Sequence, residues 1–383
     1  MSAMQTLRDD RDVTAPRDKG IRFFPAMVAL IIVGLSFYAS RGMVPQADEI
    51  NPPSQVVSQD KADHKPSAQT DKAVDAAKAF LASLDDKGRA KAVFEFKSPK
   101  KAGWSNLPVD FVPRNGVRLG DLTKIQRDAA MAVLSEILSK EGYQKVIDIM
   151  NADEDLKING GGKGKGKGKG KGGPSFGNDN FYLAIFGTPS LSEPWFVQYG
   201  GHHLGINVTI VGKNFALTPS LTCTQPDSFK RDGKTVRPLG AENDKAFALV
   251  NALNDEQRKV AILGGKPGNL VLGPGQDCKE IKPAGIKGAA LSDDQRAMLL
   301  DVIGQWVNII HEDAAAIRMA EIKTKLPDTY FAWSGPTTNG SAAYYRIQGP
   351  TLVIEYAPQG STSHIHTVIR DQTNDYGQKW LKR

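Results

Sequence analysis

WFVQYGGHHLGINVTIV, residues 195–211, decides the fold. Leu204, Ile206, Val208 and Ile210 fall on alternate positions, the period of a strand with one buried face. The stretch reads as a strand pair or one long bent strand. Working outward, Phe181 to Phe186 is a short apolar run, and Gly212-Lys213-Asn214 turns the chain into FALTPSLTC. Near the C-terminus, AYYRIQGPTLVIEYAP predicts a hairpin turning at Gln348-Gly349-Pro350, and HIHTVIRD at 364–371 predicts the next strand.

Helical patterns fill the remainder. Residues 72–83 place Val74, Ala77, Phe80 and Leu81 on one stripe, and further helices are predicted at about 85–95, 124–139, 141–150, 243–263 and 293–324. A short element recurs as Leu84-Asp85-Asp86-Lys87-Gly88-Arg89, Leu122-Thr123-Lys124-Ile125-Gln126-Arg127, Leu253-Asn254-Asp255-Glu256-Gln257-Arg258 and Leu291-Ser292-Asp293-Asp294-Gln295-Arg296. In the last three a good N-cap precedes Gln at capping-box spacing, so the helices begin alike. Irregular spacing of the four argues against a solenoid. The expected class is α+β, with helices packed on a mainly antiparallel sheet.

Residues 23–39, FFPAMVALIIVGLSFYA, are uncharged and mostly apolar, and Arg17, Lys19 and Arg22 precede them. This predicts a transmembrane signal anchor or a signal peptide, with residues 1–22 cytoplasmic and the rest exported. Tyr38-Ala39-Ser40-Arg41 offers no clean cleavage site, which favours an uncleaved anchor. Residues 40–70 are rich in Pro, Gln, Ser and charge and read as a disordered linker. Residues 71–383 are then a single extracytoplasmic domain, membrane-anchored or secreted. In an oxidising compartment Cys223 and Cys278 are expected to close a disulfide worth roughly 3–4 kcal/mol, against two unrelated thiols.

The net charge is +7, of which residues 1–41 carry +2 and the Lys-Gly tract at 160–173 carries +5. The remainder is balanced, which argues against nucleic acid as a partner. The tract reads as a flexible, solvated, basic loop with no aromatic residue for base stacking. Weak contact with anionic lipid, cell-wall polymer or nucleic acid is its alternative use. Gly187-Thr188-Pro189-Ser190 and Ser334-Gly335 lack the G-x-S-x-G elbow of a serine hydrolase, and neither a P-loop nor a strand–GxGxxG–helix unit appears.

Six histidines occur. His64 falls in the linker, and His311 reads as a partly exposed residue in mid-helix. The other four form two motifs, Gly201-His202-His203-Leu204 and Ser363-His364-Ile365-His366-Thr367. His364 and His366 share a strand face, a common way to give two imidazoles to one metal. On the same reasoning His202 and His203 point to opposite faces. His203 then sits on a polar face as third ligand, and His202 lies in the core or behind the site. Glu355 or Asp371 would be fourth ligand or general base, while Tyr345 and Arg370 would orient a small anionic substrate. Such a site suits Zn²⁺, Fe²⁺ or Cu²⁺ and either hydrolysis or redox chemistry. The competing reading is a non-enzymatic binding or structural module, in which the same His, Arg and Asp residues form a hydrogen-bonded core.

The series from Phe181-Tyr182-Leu183-Ala184-Ile185-Phe186-Gly187-Thr188-Pro189 through Gly201-His202-His203-Leu204, Phe331-Ala332-Trp333-Ser334-Gly335, Ile354-Glu355-Tyr356 and His364-Ile365-His366-Thr367 to Asn374-Asp375-Tyr376-Gly377 resembles an uncharacterised bacterial family, domain of unknown function 3500. The resemblance runs from about residue 73 to the end and transfers no mechanism. Where relatives often carry an Asp-Asn-rich stretch, this chain reads Ala357-Pro358-Gln359-Gly360, so that loop supplies no carboxylate ligand. The Lys-Gly tract also departs from the family's pattern.

Overall fold

The computed structural model describes residues 65–160, 174–265 and 268–381. The predicted tail, apolar segment 23–39, most of the linker and residues 161–173 of the Lys-Gly tract lie outside them. No helix of the described residues is long and apolar enough to cross a membrane.

The first half of the domain runs α1 (Ala68–Ser83), α2 (Asp86–Ala92), β1 (Val93–Phe94), β2 (Val117–Arg118), α3 (Lys124–Ile137), α4 (Lys140–Asp155), β3 (Tyr182–Phe186), β4 (Trp195–Gly201), β5 (Leu204–Val211), β6 (Asn214–Ala216) and β7 (Ser220–Thr222). A separate small hairpin follows, β8 (Phe229–Arg231) and β9 (Lys234–Val236). The second half runs α5 (Gly240–Ala252), α6 (Asp255–Ala261), β10 (Ile286–Lys287), α7 (Asp293–Val307), α8 (Glu312–Thr324), β11 (Tyr330–Ser334), β12 (Tyr344–Gly349), β13 (Leu352–Pro358) and β14 (Ile365–Arg370). The order of the main sheet is β1-β3-β4-β5-β7-β14-β13-β12-β11-β10. It is antiparallel apart from β1 on β3 and an isolated bridge, Ile262 to Trp333. The α+β class is as expected.

Read from either end, the sheet repeats itself. β3, β4, β5 and β7 match β11, β12, β13 and β14, and β2 on β3 matches β10 on β11. The parallel contact of β1 matches the Ile262 bridge. The recurring helix-start element is the trace of this repeat in the sequence. Thirty-eight residues separate Leu84 from Leu122, and thirty-eight separate Leu253 from Leu291. Full capping boxes form at Thr123/Gln126, Asn254/Gln257 and Ser292/Gln295, while Asp85 caps α2 through the Gly88 N–H. Each Gln at N3 also reaches a carbonyl outside its helix, Gln126 to Ser83 and Gln295 to Ala252.

Two helices predicted as continuous are each divided. The stretch 243–263 breaks at Leu253-Asn254, where Asn254 caps α6. The stretch 293–324 breaks between Asn308 and His311, and His311 caps α8 instead of lying in mid-helix. The second break is tertiary in origin. Leu138 bridges Ile310, and the Ser139 N–H donates to the Ile309 carbonyl, so the α3–α4 and α7–α8 corners pair with each other.

One sheet face carries the apolar side chains. Leu183, Ile185, Val197, Tyr199, Ile206 and Val208 pack with α1, α3 and α4, and Phe331, Trp333, Tyr345, Ile347, Ile354 and Tyr356 pack with α5 and α7. The opposite face is mixed, with Phe186, Phe196, Leu221 and Val368 beside polar side chains, and is covered by two equivalent loops. Asn115 and the Lys101 carbonyl hold Gln198, while the carbonyls of Ile281 and Lys282 receive Gln348 and Arg346.

The expected disulfide is not formed. Cys223 is buried with Trp104, Leu221 and Val368, and its sulfur accepts the Thr367 N–H. Cys278 is exposed, so both thiols are free. Burial pushes the Cys223 thiol up to about 12, which leaves it a protonated core residue at neutral pH.

A matched pair of glycines tests the repeat. Gly116 has φ +100° and Gly285 has φ +96°, and a Cβ at either would lie 2.1 Å from a carbonyl oxygen, of Leu183 or of Phe331. Gly116→Ala and Gly285→Ala should each destabilise by more than about 1 kcal/mol in urea denaturation, through strain and overlap together. Unchanged midpoints would mean that neither close approach constrains the fold.

Candidate metal centre at the seam between the halves

Gly201 pairs with Leu204, so His202 and His203 are not strand residues but the two-residue turn joining β4 to β5. This corrects the expected alternation of faces. His203 has φ +63°, a left-handed conformation that costs energy in any residue with a Cβ and that strained functional positions often hold. The glycine pair before the turn admits close backbone: a Cβ on Gly201 would lie 2.6 Å from the Asn180 carbonyl, and one on Gly200 would lie 2.5 Å from that of Leu204. The two imidazoles stack, with centroids 3.6 Å apart and planes 28° from parallel.

The start of β14 delivers the other pair, with His364 just before the strand and His366 within it. The central strands β7 and β14 meet at Leu221–Val368 and Ser220–Ile369, and Thr224 bridges Ile365. Beside them, the Cys223 N–H donates to the His203 carbonyl. The turn of the first half and the start of β14 are thereby neighbours. His203 Nε2 lies 3.0 Å from His364 Nε2, which lies 2.9 Å from His366 Nε2. The three ring planes are strongly inclined, at 53°, 60° and 86°. Three imidazoles bound to one tetrahedral ion at roughly 2.0–2.1 Å hold their nitrogens about 3.3 Å apart, close to this arrangement.

Hydrogen bonding alone does not account for these contacts. A ring nitrogen has one in-plane position, occupied by either a proton or a lone pair. His364 Nε2 can therefore satisfy one neighbour, and the second close contact is left opposed. Three lone pairs aimed at one cation remove the conflict. The electrostatics agree. Burial, with the neighbouring imidazoles, holds His203 well below its usual range. The same causes bring His364 to about 4 and His366 to about 3, so all three are neutral near pH 7, the form that binds metal.

His202 stands behind this group. Its Nδ1 lies 2.6 Å from Asp153 Oδ1, and Asp153 Oδ2 accepts the Gly177 N–H. Asp153, His202 and His203 form a second close group. Near-parallel stacking, however, keeps His202 and His203 from sharing one ion, because a ligated metal lies in the plane of each ring. Asn269 Oδ1 lies 3.0 Å from His366 Nδ1, and Asn106 Nδ2 lies 3.0 Å from the same atom. A bond to Asn269 Oδ1 requires Nδ1–H and leaves the Nε2 lone pair facing the cluster, whereas accepting from the Asn106 amide requires the opposite tautomer, so a cation at Nε2 would select the Asn269 bond. Asn106 and Asn269 come from the two equivalent loops, one from each half. Asp153, Asn106 and Asn269 carry no motif, and the sequence reading misses them.

The carboxylates and the arginine expected at the site are engaged elsewhere. Glu355 accepts the N–H groups of Val271 and Leu272 and the Tyr344 hydroxyl. Arg370 pairs with Asp277 and Asp375, and Asp371 pairs with Arg318. Tyr345 lies on the helix side and donates to the Glu242 carbonyl. None of Glu355, Arg370 and Asp371 joins the convergent group, which is His203, His364 and His366.

The chain belongs to the family described as "Protein of unknown function (DUF3500)", whose model matches residues 66–378. No curated protein and no solved structure matches it.

The depressed histidines set a pH dependence for the metal-free protein. The unfolded chain takes up protons near pH 6.5, while the folded cluster resists them until about pH 4 for His364 and about pH 3 for His366. Stability contributed by the cluster is therefore full above about pH 6.5 and falls between there and about pH 3. Urea denaturation at pH 7.5 and 4.5 should show a smaller loss for the His364→Asn, His366→Asn variant than for wild type. Equal losses would remove the cluster from the acid sensitivity.

Proposed function

We propose that His203, His364 and His366 hold one divalent transition-metal ion, and that the protein is a metal-dependent enzyme acting at its open coordination position. The observation that carries this reading is His364 Nε2 in contact with two ring nitrogens when it can satisfy only one. The donor set suits Zn²⁺, Cu²⁺ or Fe²⁺. Three neutral ligands leave the ion its full charge. A bound water would then ionise near pH 7, at about the level of other three-histidine zinc sites, and attack a carbonyl or phosphoryl centre. Hydrolysis of a small molecule is thus the favoured chemistry. His364 is the least buried of the three and marks the side from which substrate arrives.

Burial favours a second reading, a structural histidine cluster: His203 is 2 % exposed and His366 5 %. Metal content separates the two. Full-length protein loaded with Zn²⁺ and freed of excess should retain about one ion per chain, and His203→Ala, His364→Ala and His366→Ala should each lose it. Absence of stoichiometric Zn²⁺, Cu²⁺ and Fe²⁺ from wild type, or retention by all three variants, would reject the metal centre.

We also propose that the domain lies outside the cytoplasm, tethered through residues 23–39. The uncharged apolar run behind Arg17, Lys19 and Arg22 supports this. Membrane fractionation with N-terminal sequencing should find the segment uncleaved and the domain open to external protease. A soluble cytoplasmic product would reject it.

A further inference from the structure

We infer that Glu355 and Arg370 are positioning residues of the proposed metal centre, acting through the loop that carries Asn269 to His366. The inference rests on the metal reading. Glu355 is 0 % exposed and Arg370 1 %, so two full charges are buried beneath this loop. Several of their hydrogen bonds go to its backbone. Glu355 Oε1 accepts the Val271 N–H at 2.9 Å and the Tyr344 hydroxyl at 2.7 Å, and Oε2 accepts the Leu272 N–H at 2.7 Å. Arg370 Nε donates to the Leu272 carbonyl at 2.8 Å. One terminal nitrogen reaches Asp277 at 2.7 Å and the other Asp375 at 2.9 Å. Residues 271, 272 and 277 are thus fixed from below, two positions from the amide that bonds His366 Nδ1 at 3.0 Å.

The repeat within the chain supplies an internal control. Asn207 pairs with Gln198 in the first half where Glu355 pairs with Arg346 in the second. Likewise Leu221 pairs with Gly205 where Arg370 pairs with Val353. The same sheet therefore forms with an amide and a leucine at these places. Burying the two charges is expensive and is not required by the strands. It is found in the half whose loop presents an amide oxygen, that of Asn269, to His366 Nδ1, whereas the equivalent loop presents the Asn106 amide nitrogen to the same atom. A fixed acceptor on Nδ1 holds the tautomer and ring orientation that aim Nε2 at the ion, and loss of such a partner typically weakens metal binding 10- to 100-fold.

The test uses the full chain, Zn²⁺ affinity from chelator competition, and the electron paramagnetic resonance spectrum of the Cu²⁺-loaded form. Asn269→Ala and Glu355→Gln should each weaken Zn²⁺ binding by about 10-fold or more and change the Cu²⁺ spectrum. Asn269→Asp, which keeps the acceptor, should retain affinity. Because Glu355 acts through Asn269, the Glu355→Gln, Asn269→Ala double variant should bind no more weakly than Asn269→Ala alone. Should Glu355→Gln fail to fold, Asp277→Asn loosens the same loop from its more exposed side and should weaken Zn²⁺ in the same direction. Wild-type affinity and spectrum in Glu355→Gln, with binding abolished in His366→Ala, would overturn the inference and leave the metal centre standing. Additive losses in the double variant would also overturn it. Wild-type protein that takes up no metal overturns both.

Discussion

The pairing of β7 with β14 is the contact on which the structure turns, because it makes two half-sheets one. The strands are short, and side chains reinforce what their few backbone bonds provide. The Thr367 hydroxyl donates to the Thr222 carbonyl and receives the Trp306 indole N–H, and it lies 3.0 Å from the Thr222 hydroxyl. A buried threonine whose polar groups are all engaged adds no desolvation debt. It also ties α7 to the seam. The same register brings the β4–β5 turn beside the first residue of β14. The histidine cluster is a product of the seam and would not exist in either half alone.

Local rules are broken where the cluster stands. A non-glycine residue takes a left-handed turn position, three imidazoles lie together with too few protons to go round, and a buried Glu and Arg grip a loop. Elsewhere the chain has capped helices, and glycines take many of its left-handed positions. Left-handed non-glycine positions also occur at Asp232, Cys278 and Tyr376, so the turn alone does not mark the site, and the close imidazole contacts set the cluster apart.

What could be read from the sequence follows how far apart the interacting residues lie. Strand periodicity and capping are local, so the antiparallel sheet, the H-x-H face and the helix starts were legible. The helix breaks at 253–254 and 308–311 were less so, because the second depends on a corner more than 160 residues away. The Gly-His-His-Leu turn was mistaken for strand because the apolar alternation continues on both sides of it. His203, His364 and His366 were identifiable as residue types with a shared chemistry. Asp153, Asn106 and Asn269 were not, since an isolated Asp or Asn carries no signature until the fold sets it against an imidazole. Glu355 was read as a ligand or general base and Arg370 as a substrate-orienting residue, because the partners they take in the fold lie on a loop some 80 to 100 residues earlier.

The repeat explains why there is one such cluster and not two. Two-residue turns bracketed by glycine and leucine occur in both halves, His202-His203 between Gly201 and Leu204, and Pro350-Thr351 between Gly349 and Leu352. At the opposite end of the seam Arg318 binds Asp371 and the Thr351 hydroxyl, a pairing of charge and hydroxyl in place of imidazoles. One end is thus closed by ion pairs that need nothing further. The other is closed by imidazole nitrogens, the donor set of the proposed metal centre. A symmetric frame with one end self-sufficient and one end electron-rich leaves the histidine end as the place where chemistry can be added without cost to the seam.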